Sequence, residues 1–309
     1  MTAHGLSFDV EDWHQLESIR VDGAPGPASP SVDGCVDRIL ALCDEAGVKA
    51  TFFVLGLLAR ERPHLVKAIA ARGHEIASHS VSHRRVYSLA PAELRDELRD
   101  SKRLLEDLAG TEVVGFRAPE FSIQRLDHPC FAALVEAGFL YDSSVFPVPL
   151  MRYGIPGAPH VPFRIPTAAG GLVELPLATA RVARWRLPIA GGSHFRLLPP
   201  PLVAWAAARA DASGEPLVFY FHPYEFATEL LRLDGGWARN RPIARHLVLH
   251  NLGGGRVRRS LRALVGRLSF VPLRALAEAA AAQPAHASQS SSQPTQSSSQ
   301  SNQATKEPS

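Results

Sequence analysis

The chain has 309 residues, of which 46% are hydrophobic and 20% charged, and it carries a formal net charge of +3. This length and apolar content are sufficient for one large globular domain or two small ones with a buried core, which excludes a chain that is disordered throughout. The positive charge is too small to indicate a nucleic-acid-binding protein, so we expect no nucleic acid partner.

Short apolar runs alternate with helical patterns in the first part of the chain. "GLSFDV" predicts a buried strand, and "VDGCVDRILALCDEAG" predicts a helix with Asp33 as its N-cap and Gly47 at its end. "KATFFVLG" is rich in β-branched and aromatic residues and predicts a second strand. A helix, "RPHLVKAIAARG", and a third strand, "HEIASHS", follow.

The alternation continues towards the C-terminus. "PAELRDELRDSKRLLEDLAG" predicts an amphipathic helix with one leucine face, closed by Gly110. "EVVGFRAPEFS" predicts a strand ending at Arg117, "CFAALVEAGF" a helix, and "PLVFYFHPYEF" a late strand ending near His222. Repeated strand–helix alternation indicates an α/β fold with parallel strands, whose active sites lie at the carboxyl ends of the strands.

Three segments depart from this alternation. Residues 145–215 are rich in Pro and Gly, which predicts long structured loops. Between Arg232 and Arg274 there are ten arginines and one acid, a pattern typical of a solvated surface or of a site for an anionic glycan or lipid headgroup. Residues 283–309 are almost entirely Ser, Gln and other polar residues, which predicts a disordered tail after a domain spanning residues 1–282.

Three cysteines, Cys35, Cys43 and Cys130, form a sparse, odd-numbered set without a CxxC spacing. Cys35 and Cys43 lie about 12 Å apart along the predicted helix, too far for a disulfide. Such a set is typical of a reducing compartment. The sequence also shows no signal-peptide pattern and no apolar run of membrane-spanning length, so we expect a cytoplasmic protein.

Three carboxylates, Asp9, Glu11 and Asp12, follow the first strand within four residues. His79 and His83 are four residues apart, and on one helical turn such a spacing allows two imidazoles to bind one metal ion. Two imidazoles and one carboxylate are a common ligand set for a catalytic divalent metal. A second carboxylate that is not a ligand can accept a proton from metal-bound water, and this explains the excess of acids.

Two further residues are predicted to lie at the same edge of the sheet. Arg117 ends a strand, where its guanidinium can pair with a carboxylate, hold it in position and keep its pKa low. His222 ends another strand, where its imidazole can serve as a general acid. Each residue alone is also compatible with a structural role, and the convergence of all these side chains is what indicates a catalytic site.

The stretches "SFDVEDW", "HEIASHSVSH", "GFRAPEFS" and "FYFHPYEF", in this order, resemble the motifs of the NodB-homology polysaccharide deacetylases. The stretches "YDSSVFP", "RYGIPGAP", "ELPL" and "FRLLP" are similar to the branch found in bacterial exopolysaccharide gene clusters. The resemblance covers about residues 5–276, with the motifs in residues 5–225 and a basic part in residues 226–282. It implies a distorted (β/α) barrel and a divalent metal, usually zinc with cobalt as a substitute, that serves the hydrolysis of N-acetyl groups on amino sugars.

The resemblance also implies residue roles. Asp9 matches the catalytic base, His79 and His83 the metal-binding histidines, Arg117 the residue that orients the base, and His222 the general acid. Asp142, in "YDSS", corresponds to the acid that tunes the catalytic histidine.

The sequence departs from the family pattern at two positions. The family has two adjacent aspartates, base then ligand, but Val10 stands in the second position here. Strand alternation favours Glu11 as the displaced metal ligand, and Asp12 is the alternative if the strand has already ended. Glu120 replaces an aromatic residue of the substrate pocket; the family uses only the backbone N–H at this position in its mechanism.

The sequence therefore predicts a metal-dependent polysaccharide N-deacetylase, acting in exopolysaccharide biosynthesis on an N-acetylated amino-sugar glycan. For a cytoplasmic enzyme the expected substrate is a nascent or lipid-linked oligosaccharide, and the basic part is expected to make peripheral contact with the inner face of the membrane. Two alternatives stay open: a non-catalytic glycan-binding or assembly protein on the same fold, and a related hydrolase of small cyclic amides.

Overall fold

The computed structural model describes residues 2–17, 26–149, 153–182, 184–230, 248 and 251–282. Its principal feature is a curled nine-stranded sheet in the order β10-β1-β2-β3-β4-β5-β7-β6, with β11 paired to the first residues of β1. The strands are β1 (Ala3–Val10), β2 (Thr51–Val54), β3 (Glu75–Ser78), β4 (Gly115–Phe116), β5 (Tyr141–Asp142), β6 (Phe163–Thr167), β7 (Gly170–Glu174), β8 (Thr179–Val182), β9 (Trp185–Pro188), β10 (Val218–Phe221) and β11 (Ser269–Val271). β8 and β9 form a separate hairpin.

All pairings in the large sheet are parallel except that between β6 and β7. Among the described residues no pairing joins β6 to β10, so the curled sheet remains an open barrel. This is the predicted distorted (β/α) barrel. Parallel pairing brings the carboxyl ends of β1, β3, β4, β5 and β10 to one edge, where the predicted site residues lie.

Helices cover the outer face of the sheet. They are α1 (Ser31–Ala46), α2 (Gly56–Glu61), α3 (Pro63–Ala71), α4 (Pro91–Ala109), α5 (Cys130–Glu136), α6 (Gly192–Leu197), α7 (Pro200–Ala212), α8 (Gly254–Val265) and α9 (Leu273–Ala282). Gly47 and Gly110 end α1 and α4 with φ near +65°, which confirms both predicted helix ends. Asp33 is not the N-cap of α1, because Pro30 takes that position and Asp33 lies in the first turn.

The core lies between the sheet and these helices. Val36, Ile39 and Leu40 of α1 are fully buried, as are Leu6, Phe8 and Val10 of β1 and the apolar residues of β2. Phe8 stacks on Phe52 with ring centroids 5.0 Å apart. Strands that are apolar on both faces are expected in a parallel sheet covered by helices on one side and filled by side chains on the other.

The prediction of long loops across residues 145–215 is wrong, because this segment contains β6 to β9 and the helices α6 and α7. The prolines occupy positions that regular structure tolerates. Pro166 lies in β6, at the edge of the sheet, where a missing N–H breaks no required ladder bond. Pro200 and Pro201 begin α7, where the first N–H groups have no partner inside the helix.

Two predictions fall partly or wholly outside the described residues. The predicted disordered tail, residues 283–309, lies outside them, and so does most of the arginine-rich stretch before residue 251. Its described remainder includes α8. Within the part of the chain that the structure describes, no helix combines the length and apolarity needed to cross a lipid bilayer.

Candidate active site

The site is built at the carboxyl edge of the parallel strands. Asp9 and Glu11 come from the end of β1, and His79 directly follows β3. Arg117 follows β4, and His222 follows β10. These five residues come from four separate motifs in the sequence, and the structure brings their side chains to one edge of the sheet.

Glu11, His79 and His83 form a candidate metal centre. One ligand atom from each residue lies within 4.8 Å of the others, and all three side chains are buried. Glu11 Oε2 is 2.5 Å from His83 Nε2 and 3.4 Å from His79 Nε2. His79 Nδ1 donates to the Arg117 carbonyl at 2.9 Å, which fixes the tautomer and directs the Nε2 lone pair towards Glu11. Two imidazole nitrogens and one carboxylate oxygen therefore fit a divalent ion with further positions open.

The local electrostatics keep Glu11 ionised. Complete burial by itself raises the pKa of Glu11, but the facing imidazoles of His83 and His79 outweigh burial and hold this pKa well below its usual range. A ligand carboxylate must be deprotonated to bind a metal, so the cluster is electrostatically prepared for a cation.

The loop that carries His83 is not the helical turn that the spacing suggested. Ser80 and His83 have positive φ values of 65° and 59°, which no α-helix accommodates. Glu97 of α4 holds the loop: it accepts hydrogen bonds from Ser80 Oγ, the N–H groups of Val81 and Ser82, and Ser82 Oγ, at 2.5–3.0 Å.

Gly56 at the start of α2 allows this loop to approach closely. A Cβ atom on Gly56 would lie 2.9 Å from the Val81 Cα atom, closer than atoms of the backbone normally come. The N–H groups of Gly56 and Leu57 donate to the carbonyls of Ser80 and Val81 at 2.9 Å. The histidine loop is therefore fixed between α2 and α4.

Asp9 is held by Arg117 and is separate from the three-ligand cluster. Arg117 Nη1 donates to Asp9 Oδ1 at 2.6 Å and to Ser7 Oγ at 2.9 Å, and the guanidinium lies 4.1 Å from the Phe53 ring centroid. The Arg117 side chain is fully buried, and its other nitrogens donate to the carbonyl and hydroxyl of Ser143. This is the predicted guanidinium–carboxylate pair, and its burial makes the geometry rigid.

Asp12 lies outside the candidate metal cluster. Of the two acids left open by the sequence, Glu11 is the one that lies beside His79 and His83. β1 ends at Val10, and Asp12 instead caps the short 3-10 turn Trp13–Gln15. Its carboxylate accepts from the His14 N–H at 2.9 Å and from Ser29 Oγ at 2.6 Å. Asp12 therefore lies outside the Glu11–His79–His83 cluster, because local capping engages its carboxylate with His14 and Ser29.

His222 faces the carboxylates of both Asp9 and Glu11 across the site. Its Nε2 lies 4.0 Å from Asp9 Oδ2 and 3.7 Å from Glu11 Oε1, and its Nδ1 lies 3.7 Å from Glu225 Oε2. Burial lowers the pKa of His222, but Glu225, with Glu11 and Asp9, outweighs burial and raises this pKa above its usual value. The imidazole therefore favours its protonated form, as a proton donor requires.

The acid beside His222 is Glu225, whereas Asp142, which was predicted to tune this histidine, has other partners. Asp142 accepts from Ser144 Oγ at 2.7 Å and pairs with Glu174 instead. Burial raises the pKa of Glu225, but His222 and then Arg196 outweigh burial and lower this pKa to about 2. Arg196 Nη2 donates to Glu225 Oε1 at 3.2 Å, so Glu225 is an anion with two cationic neighbours.

Asp142 and Glu174 form a buried carboxyl pair behind Arg117. Burial is the main cause that raises the pKa of both groups, and Asp142 accepts hydrogen bonds from the Ser144 hydroxyl and N–H. Glu174 accepts from the Val145 N–H at 2.9 Å, and Ser144 Oγ accepts from the Ala118 N–H at 2.8 Å. The pair thereby fixes the segment 143–145, against which Arg117 is packed.

Glu120 occupies a strained turn after Arg117. Its φ of +52° and that of Phe121, +49°, are in the left-handed region that most residues avoid. The Glu120 carboxylate pairs with Arg85 at 2.9 Å, and Phe121 packs edge-on against Tyr220, with centroids 4.9 Å apart. The departure from the family pattern at this position thus introduces an ion pair at the edge of the site.

Several residues that build the site were not predicted from the sequence to have a role there. The role of Glu97 could not be predicted, because a helical sequence pattern does not show which acid of the helix faces a loop. Ser143, Glu174, Arg196 and Glu225 lie in the stretches "YDSS", "ELPL", "FRLLP" and "HPYEF", which were noted only as marks of the resemblance. The sequence feature that could have indicated these four residues is a polar side chain within an otherwise apolar short motif.

Comparisons with known proteins identify two matching regions. Residues 22–129 match the family described as polysaccharide deacetylase, and residues 143–278 match a domain of unknown function, DUF3473. The first region contains His79, His83 and Arg117, and the second contains Glu174, His222 and Glu225.

Curated relatives match part of the chain. The peptidoglycan deacetylase-like protein FGM2 of Gibberella zeae is 38% identical over 112 residues, which is 36% of this chain and 32% of that protein. A chitooligosaccharide deacetylase of a Bradyrhizobium species is 34% identical over 71 residues, which is 23% of this chain and 32% of that protein. The chain thus spans about a third of the length of these relatives.

Solved structures share the fold. A candidate polysaccharide deacetylase from Mycobacterium smegmatis has a TM-score of 0.54 at 22% identity, with 91% of each chain covered. One from Pseudomonas aeruginosa PAO1 has a TM-score of 0.54 at 18% identity, with 89% of each chain covered.

The open parallel barrel and the Glu-His-His cluster at its carboxyl edge define an α/β-barrel protein with a candidate metal centre. Within residues 22–129 the chain is similar to the polysaccharide deacetylase family, and its fold is shared with the two solved structures.

Proposed function

We propose that this protein is a divalent-metal-dependent hydrolase that removes acetyl groups from N-acetylated amino sugars. One observation carries the proposal: Asp9, fixed by Arg117, lies beside the Glu11–His79–His83 cluster but outside it, and His222 faces both. A separate base, ligand set and acid are the parts that amide hydrolysis needs.

Glu11, His79 and His83 would hold the ion, which when bound polarises the acetamide carbonyl and lowers the pKa of a coordinated water. Asp9 Oδ1 is engaged by Arg117, so Oδ2 accepts the proton of the attacking water. His222 Nε2 then donates a proton to the amide nitrogen as its bond to the carbonyl carbon breaks. The products are acetate and a free amine on the sugar.

The finer identity of the substrate and metal also belongs to the proposal. We infer an exopolysaccharide-related glycan or lipid-linked oligosaccharide, because the short motifs resemble the branch associated with exopolysaccharide synthesis. Zinc is the preferred ion, with cobalt as a functional substitute, because two imidazoles with one carboxylate suit both.

We further propose that the enzyme acts in the cytoplasm at the inner face of the membrane. Cys35, Cys43 and Cys130 are free, as expected for a reducing compartment. Exposed arginines of α8 supply the positive charge for peripheral contact with anionic lipid. Equal activity on short soluble oligosaccharides and on lipid-linked ones in vesicles, unchanged by Arg259→Gln, would contradict this placement.

The proposed function is tested with purified wild type, His79→Ala and Asp9→Asn, by metal analysis and acetate release from N-acetylglucosamine oligomers. We expect His79→Ala to lose metal and activity together, because it removes a ligand. We expect Asp9→Asn to keep its metal and lose turnover, because it removes only the base. A wild type that binds zinc or cobalt but releases no acetate from any glycan would favour a glycan-binding protein, and ring opening of a small cyclic amide alone would favour the other alternative.

A further inference from the structure

A second cavity lies away from the candidate active site. It has a volume of about 550 Å³, within the range of small-molecule sites, and is bounded by the β8–β9 hairpin, the end of α7 and the segment around residue 215. Alanines of β8 and α7 form its floor, since Ala180, Ala206 and Ala210 are buried beneath it.

The cavity lies towards the opposite end of the barrel from the metal cluster. Asp211, in the last turn of α7, contacts the Thr2 N–H and His4 Nε2 at 3.3 Å, at the amino end of β1. Glu11 lies seven residues further along this extended chain, which is about 20 Å at the rise of a strand. A ligand in this cavity would therefore not touch the catalytic groups.

Three arginines line the cavity. Arg181 of β8 and Arg186 of β9 are directly opposite each other in the antiparallel register, and Arg209 comes from α7. Like charges directly opposite each other in a sheet repel. Among the described residues of the lining, Glu215 is the one acid, and it also faces His160 at 3.4 Å.

Arg186 is oriented by a hydrogen bond and lies close to both a positive and a negative side chain. Its Nη1 donates to Thr179 Oγ1 at 3.1 Å, which directs the guanidinium along the cavity wall. Burial lowers the pKa of Arg186, and the like charge of Arg181 acts in the same direction, against the opposing effect of Glu215. Guanidinium forks match the geometry of carboxylate and phosphate groups, which they bind through paired hydrogen bonds.

We propose that this cavity is a binding site for a small oxyanion ligand, a phosphate- or carboxylate-bearing molecule of about the size of a sugar. An anion between Arg181, Arg186 and Arg209 would relieve their mutual repulsion and accept their hydrogen bonds. The shared chemistry is the oxyanion; an acidic sugar and a phosphate are its two candidate sources. This inference does not depend on the proposed deacetylase activity.

The test is calorimetric titration of the full-length protein with inorganic phosphate and with glucuronate, at matched ionic strength, with glucose as the neutral counterpart of glucuronate. We expect saturable binding of at least one anion and none of glucose. Preference for phosphate or for glucuronate identifies the source. Absence of saturable binding of both anions would overturn the proposal.

Single-residue variants test whether the anion binds in this cavity. Arg209→Gln, on the exposed side of α7, should weaken the anion about tenfold, and Glu215→Gln should strengthen it about threefold because it removes the opposing charge. Arg103→Gln, an arginine 83% exposed on α4, is the matched control and should leave affinity unchanged. His79→Ala should also leave the affinity for the anion unchanged, because His79 lies outside this cavity. An anion that bound at the metal centre would instead lose its affinity in this variant. Equal weakening in Arg103→Gln, or loss of binding in His79→Ala, would contradict the assigned site.

Discussion

Asp9 and Glu11 are two residues apart, yet their carboxylates have different partners. Arg117 holds Asp9 at 2.6 Å, whereas the imidazoles of His83 and His79 surround Glu11. The buried guanidinium of Arg117 contacts Oδ1 of Asp9 and leaves Oδ2 facing His222. The two carboxylates are thus distinguished by their partners, which suits the separate roles of base and ligand that we propose for them.

Glu225 is predicted to support His222 as a proton donor. Glu225→Gln removes the negative charge beside His222 Nδ1, so the imidazolium loses stabilisation and is less well oriented. We expect kcat to fall about tenfold with KM nearly unchanged, because the side chain lies behind the histidine and does not contact the sugar. Steady-state acetate release measures both constants.

Glu112→Gln is the matched control, since Glu112 is 60% exposed and pairs with Arg274 far from the site. It should leave both constants unchanged. A Glu225→Gln enzyme with normal kcat, or with a change confined to KM, would show that Glu225 does not support His222.

The buried imidazole of His74 is predicted to make the free energy of unfolding depend on pH. His74 is 6% exposed, and its Nδ1 accepts the Ala50 N–H at 3.2 Å. Burial, followed by the charge of Lys49, lowers the pKa of His74 to about 4. Between about pH 6.5 and pH 4 the unfolded chain therefore binds a proton that the folded chain does not, so stability falls as pH falls through this window.

His74→Asn keeps an acceptor for Ala50 and removes the titration. We expect the loss of unfolding free energy between pH 7 and pH 5 to be smaller in the variant by about 1–2 kcal/mol. Urea unfolding at the two pH values measures this difference. The same pH dependence in both proteins would show that His74 titrates alike in the folded and unfolded states.

Among the helices, α4 fixes the loop of the candidate metal ligand His83 without supplying a ligand itself. Its Glu97 accepts four hydrogen bonds from the loop between β3 and His83, and α2 approaches the same loop through Gly56. A loop with two residues at positive φ stays in place only when its surroundings fix it.

Glu97→Ala tests this arrangement. The loop would lose its anchor, so we expect zinc affinity to fall about 10–100-fold while the overall fold persists. Competition with a chromophoric chelator measures the affinity. Asp96→Ala changes the neighbouring, 60% exposed acid of α4 and should bind zinc as the wild type does. Unchanged affinity in Glu97→Ala would mean that the backbone alone fixes His83.

In the whole molecule, the candidate metal centre joins two distant parts of the chain. Glu11 follows β1, and His79 and His83 follow β3, with β2 between the two strands in the sheet. A bound ion would therefore add a link across three strands that exists only in the folded protein.

Metal should stabilise the fold by mass action. At a free zinc concentration of 100 times Kd, the gain is about 2.7 kcal/mol, which corresponds to a rise in Tm of about 5–10 °C. Thermal unfolding with zinc and with a chelator measures this shift. His79→Ala should show no such difference, and an equal shift in that variant would place the stabilising ion elsewhere.

The sequence by itself determined the parallel α/β barrel, the helix ends at Gly47 and Gly110, and the residues that meet at the carboxyl edge. Those features follow from local patterns and from the rule that parallel strands end at one edge. Only the tertiary structure decided that Asp12 caps a turn, that the histidines lie on a loop held by Glu97, and that Glu225, and not Asp142, faces His222. Side-chain partners far apart in the chain depend on packing, and sequence periodicity carries no information about which polar groups packing brings together.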